Sequence, residues 1–110
     1  MELKEVETYL KRISQDNIEF DPHFYKKIAE RPINESIVRS YLSNINKLEK
    51  IEFGKEDSNR FKLWFKMSSN YSLVVIIEIL IPKGLKVISA WNTNRKWQNK
   101  TISTIMRASS

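Results

Sequence analysis

The sequence predicts an α+β fold: one antiparallel meander sheet with helices packed on one face. Three observations carry this expectation. Residues 2–14 set Leu3, Val6, Leu10 and Ile13 at three- and four-residue spacing, the period of an amphipathic helix. Residues 60–67, RFKLWFKM, alternate strictly between apolar and cationic or indole side chains. Residues 71–81, Ser72 and Glu78 apart, are apolar and largely β-branched, as a central strand requires.

The elements follow in order. Asp16-Asn17 ends the first helix, and Ile18-Glu19-Phe20 reads as a short strand or extended link. Asp21-Pro22 is a helix start, an N-cap acid followed by proline at the first helical position. That helix runs past His23 and stops before Arg31-Pro32, because a residue preceding proline avoids the helical region. Asn34 caps a further helix with Ile37, Val38, Tyr41 and Leu42 on one side. Residues 48–53 form the next strand, and the meander is completed by residues 60–67, 71–81 and 85–92. Residues 95–106 carry a weak helical pattern. At 110 residues the chain reads as one domain, with residues 1–15 an additional N-terminal helix and 98–110 a tail.

Composition narrows the function classes. There is no cysteine and one histidine, so disulfides, thiolate metal sites and multi-histidine metal sites are excluded, and no cofactor is implied. No apolar run is long enough to cross a membrane, and the opening MELKEVETYLKR lacks the basic-then-apolar order of an export leader. The expected location is cytoplasmic. Charge is uneven. Residues 1–57 hold 10 basic and 12 acidic side chains, net −2, whereas residues 58–110 hold 9 basic side chains and the single acid Glu78, net +8. That asymmetry favours a polyanionic partner, nucleic acid above all, the alternatives being an acidic protein or a solvated basic surface with no specific partner.

A turn at Pro82 that pairs Ile81 with Leu85 puts Ile77, Ile79 and Val87 on a fully apolar face, which buries against the helices. The opposite face then collects Val74, Ile76, Glu78 and Leu80 with Lys86, Ile88, Ala90 and Asn92, joined by Lys62, Trp64 and Lys66. RNA cleavage through the 2′-hydroxyl needs a base, an acid and cations for the developing phosphorane charge. Glu78 suits the base, His23 an acid or base, and Lys86 a cation. The alternative for Glu78 is an ion pair with Lys86 across the hairpin, and for His23 a local capping role. Trp64, and Trp91 or Trp97, offer stacking planes for bases, the alternative being that at least one tryptophan belongs to the core, Trp97 first if the tail folds back. Lys62, Lys66, Arg95 and Lys96 supply charge, and Asn92 and Asn94 hydrogen bonds.

In HFYKKIAERPINESIV, His23 is followed by Lys27, Ile28, Arg31 and Ile33, and a helix with Glu35, Ile37 and Val38 comes next. The pattern resembles a small bacterial and archaeal domain of unknown function that opens with a histidine and spaced basic residues. The wider layout is similar to BrnT-type toxins of the RelE/ParE superfamily. Their extended F-x-W-D-P start corresponds to Glu19-Phe20-Asp21-Pro22, and their R-I-I-S-A-R closing strand to Lys86-Val87-Ile88-Ser89-Ala90-Trp91. The resemblance covers residues 18–97 and implies a RelE-like sheet, a metal-independent endoribonuclease activity and an acidic antitoxin partner. A second reading stays open: a non-catalytic interaction module whose exposed sheet or N-terminal helix, residues 1–15, mediates homodimerisation.

Overall fold

A computed structural model describes residues 2–29, 31–54, 59–95 and 105–106 of the chain. Helix α1 spans Leu3–Arg12. Glu5 Oε1 accepts the Glu2 N–H at 3.1 Å, satisfying one of the amides that a helix start leaves without an internal partner. A short 3-10 turn, Gln15–Asn17, leads into strand β1, Ile18–Phe20. Helix α2 spans Pro22–Ile28, and the Asp21 carboxylate accepts the His23 N–H at 2.8 Å, as the Asp-Pro start predicts. Helix α3 spans Glu35–Ser43, and Asn34 Oδ1 accepts the Ile37 N–H at 2.9 Å. Removing the first of these caps with Asp21→Ala is expected to cost about 1 kcal/mol. The check is the urea midpoint at unchanged slope; a midpoint that stays put means that the cap does not hold α2.

Strands β2 (Leu48–Phe53), β3 (Arg60–Lys66), β4 (Tyr71–Ile79) and β5 (Leu85–Asn94) form the antiparallel meander that the sequence predicts. Strand β6, Ile105–Met106, pairs antiparallel with β2. The order across the sheet is β1-β5-β4-β3-β2-β6. One expectation is corrected here. The sheet is mixed, because β1 runs parallel to β5, with Ile18 opposite Leu85 and Phe20 opposite Val87. The reason is burial. Parallel pairing sets Ile18 and Phe20 beside the apolar side chains of β5 and delivers α2 directly over the sheet. The Asp21 N–H continues the ladder to the Val87 carbonyl at 2.9 Å.

Register decides which residues face solvent. Ile79, not Ile81, lies opposite Leu85. This shift is even, so each side chain near the turn keeps its predicted face. The Leu80 N–H donates to the Gly84 carbonyl at 2.9 Å. Gly84 has φ +105°, and a Cβ there would lie 2.9 Å from the Asn17 carbonyl oxygen, so both backbone and space require glycine. Farther along, Ile77 faces Val87 but Ile76 faces Ser89, which leaves Ile88 as an inserted residue. That odd shift overturns the expected placement of Ala90 and Asn92. Ala90 lies fully buried opposite Val75, and Asn92 lies opposite Leu73, both on the helix-covered face. Trp91 comes instead to the opposite face, beside Val74.

Helices α1, α2 and α3 pack on the face of Phe61, Leu63, Phe65, Val75, Ile77 and Val87. Val6 and Leu10 of α1, Phe24 of α2, and Val38 and Leu42 of α3 are buried there, each contributing roughly 1.5–3 kcal/mol of apolar burial. The Tyr9 hydroxyl donates to the carbonyls of Leu80 and Gly84, at 3.2 and 2.7 Å. The stripe that suggested a homodimer through residues 1–15 is therefore used within the chain. Among the described residues no helix is long and apolar enough to cross a membrane.

Candidate functional site

The sheet face turned away from the helices is organised in rows that cross the strands. In the row nearest the β4–β5 turn, Glu19, Lys86, Glu78 and Arg60 stand side by side with alternating sign. Glu78 takes its ion pair from Arg60 Nε, at 3.0 Å. The sequence reading expected Lys86 in that role. Lys86 is its register neighbour on the other side. Both partners of the Arg60–Glu78 pair are more than a third exposed or close to it, so its contribution is at most about 1 kcal/mol.

At the far end of the face, Lys66, Ser72 and Thr93 share a row. Arg95 arrives here, with both terminal nitrogens on the Glu49 carboxylate at 2.5 and 3.0 Å and one of them 3.2 Å from the buried Ser72 hydroxyl. This bidentate fork holds the Arg95 guanidinium above its ordinary pKa, the Glu49 hydrogen bonds being the main cause. The cation that the sequence assigns to a phosphate is thus engaged within the protein.

Between these ends lies the most unusual chemistry of the molecule. Lys50, Trp64, Val74 and Trp91 form one row, and Glu52 and Lys62 flank it in the next. Lys50 Nζ lies 4.1 Å from the centre of the Trp64 ring. Lys62 Nζ lies 5.0 Å from the Trp64 ring and 5.6 Å from that of Trp91. Beyond Trp91, the Arg31 guanidinium stands 5.9 Å from the ring centre. The result is a ladder in which cation and indole alternate: Lys50, Trp64, Lys62, Trp91, Arg31. Each contact lies within the ~6 Å reach at which a ring face attracts a cation.

The ladder has a closed end and an open end. Lys50 is fully buried and Trp64 is 8% exposed, which corrects the expectation of Trp64 as an exposed stacking plane. Its indole Nε1–H donates to Glu52 Oε1. Glu52 also lies 3.8 Å from Lys50 Nζ, an ion-pair distance, yet the Lys50 amine has no hydrogen-bond partner among the described residues. Burial pushes the Lys50 ammonium below its ordinary pKa; Glu52 opposes this and Lys62 adds to it. Lys62, Trp91 and Arg31 are each half-buried and form the open end. Arg31 is held there by the Ala90 carbonyl at 2.8 Å and the Ser89 hydroxyl at 3.4 Å.

Two members of the ladder were hidden in the sequence. Lys50 sits in LEKIEF, whose alternation gives no sign of a buried lysine. A ladder irregularity between Leu48 and Lys50 turns Leu48 into the core and Lys50 to the other face. Arg31 was legible only as the second basic residue spaced from His23. His23 itself is exposed at the start of α2. Among the described residues no hydrogen bond, ion pair or ring contact joins it to Glu78 or Lys86. Of the three candidate catalytic residues, the register makes Glu78 and Lys86 neighbours. Lys96 and Trp97 lie outside the described residues. No family model, no curated protein and no solved structure matches this chain.

Proposed function

We propose that this chain is a toxin-like RNA-binding protein, and that it grips single-stranded RNA on the open end of the cation–indole ladder. The observation that carries the proposal is Lys62, held between two indoles with Arg31 beyond them, while among the described residues neither Lys62 nor Arg31 makes an ion pair. Like charges stacked this closely repel. A phosphate brought against Lys62 and Arg31 relieves that repulsion, and a base laid on Trp91 adds stacking that tolerates any sequence. Lys66 and Lys86 extend the phosphate track along the same face.

The toxin element rests on the resemblance of residues 18–97 to BrnT-type, RelE-like proteins, and with it goes the acidic antitoxin as protein partner. Binding is better supported than cleavage. Metal-independent cleavage requires Glu78 or His23 to reach a 2′-hydroxyl on this face, directly or through one water. Glu78 is engaged by Arg60. The test is RNA affinity measured across salt. Affinity falls steeply with salt because phosphate contacts release counterions. Lys62→Ala and Arg31→Ala each flatten the logarithmic salt slope by roughly one unit. Slopes equal to that of the unaltered protein contradict the assignment. Product formation during incubation without metal brings the endoribonuclease forward, and absence of binding at low salt leaves the interaction module.

A further inference from the structure

On the other side of the molecule from the ladder's chemistry, α1 and the β4–β5 turn enclose a groove of about 580 Å³. This falls in the size range of small-molecule sites. One wall is the stripe of α1 that adjoins its buried stripe, with Lys4, Thr8, Tyr9 and Arg12; the other is Asn17, Lys83 and Gly84. The wall is fixed rather than loose. The Tyr9 hydroxyl is spent on the Leu80 and Gly84 carbonyls, so the residue offers the groove its ring and not its donor. Ile13 continues the apolar lining.

The charges around this lining do not balance. Lys4, Arg12 and Lys83 have no ion-pair or hydrogen-bond partner among the described residues. The groove's single carboxylate, Glu5, is turned to the Glu2 N–H in the cap of α1. A mostly apolar slot ringed by three unpaired cations suits a ligand with an apolar body and one anionic head. We infer that the groove between α1 and the β4–β5 turn binds a small amphipathic organic anion. A small molecule is favoured over an acidic peptide because the groove is walled by α1, the segment that follows it and the β4–β5 turn. It offers no strand edge for an extended chain to pair with.

The experiment uses the whole chain and 8-anilinonaphthalene-1-sulfonate as an apolar-bodied anion, followed by fluorescence. N-phenyl-1-naphthylamine is the neutral counterpart and N-acetylated hexaglutamate amide the peptide competitor. The expected result is saturable one-to-one binding of the sulfonate that shifts the amide resonances of Thr8, Tyr9, Asn17 and Gly84. The double variant Arg12→Ala/Lys83→Ala weakens it roughly tenfold or more, since each lost contact is to a charged group. The neutral dye binds both proteins equally, and Lys62→Ala leaves sulfonate binding unchanged, which separates this site from the ladder. The inference is overturned if the sulfonate fails to saturate. It is equally overturned if the double variant binds as tightly as the original, if the shifts fall on the ladder, or if the hexaglutamate binds the groove more tightly than the sulfonate does.

Discussion

Replacing Lys50 with methionine is expected to stabilise the protein by about 1–3 kcal/mol near neutral pH, the cost of keeping a buried polar group without a hydrogen bond. The ammonium is buried, lacks a hydrogen-bond partner among the described residues and meets Glu52 only at 3.8 Å. Methionine keeps the length and flexibility that fill the space against Trp64 and removes the desolvation cost. Glu52 is not stranded by the change, because its side chain is 22% exposed and still accepts from the Trp64 indole. The pH dependence has a definite sign. Burial lowers the Lys50 pKa in the folded state. Between that value and the ordinary lysine pKa of about 10.4 the unfolded chain binds the extra proton, so stability rises with pH. The cost of Lys50 is present in full below the folded-state pKa and disappears as pH climbs towards the ordinary value. Urea unfolding of both proteins at several pH values should therefore show a gap that is widest at the acid end and narrows in alkali. A destabilised Lys50→Met protein would show that the amine is an integral support of the ladder.

Trp91→Ala is expected to weaken single-stranded RNA binding by about 1–3 kcal/mol while leaving the salt slope nearly unchanged. The separation of the two effects follows from what each group does. Lys62 and Arg31 neutralise phosphates and so set the number of counterions released, whereas the indole offers a plane and no charge. Trp91→Phe keeps a ring and should recover much of the loss. Trp91 is half-buried and packs between Lys62 and Arg31, so the folded state of each variant is checked by its urea midpoint. A loss that Phe does not restore, or one that appears wholly in the salt slope, would show that Trp91 only positions the cations and does not stack on bases.

Much of the sheet could be read from the sequence because its signals are local. The strict alternation of residues 60–67 and the apolar run after Tyr71 each specify a strand without reference to the rest of the chain. The Asp21 and Asn34 caps were equally plain. What escaped reading depends on partners distant in sequence. Ile18–Phe20 finds its parallel partner on β5, across most of the chain, and no turn residue announces that pairing. The inserted Ile88 carries no signature of its own, yet it moves Asn92 to the helix side and brings Trp91 to the ladder. Charge counted along the chain missed a compensation made in space. The acids of the first half return on β2, where Glu49 engages Arg95 and Glu52 joins Lys50 and Trp64. The indoles and Lys62 were legible as candidates, but the buried lysine that completes their stack was not.

RNA binding at the open end of the ladder is measured by titrating a labelled single-stranded RNA with the protein and with the double variant Lys62→Ala/Trp91→Ala, at about 50 and 200 mM salt. Binding is expected at the lower salt and should fall steeply at the higher, with the double variant weaker at both and its salt dependence flatter. Binding by the double variant with the affinity and slope of the original protein, or no binding by the original protein at the lower salt, rules out RNA binding at the ladder.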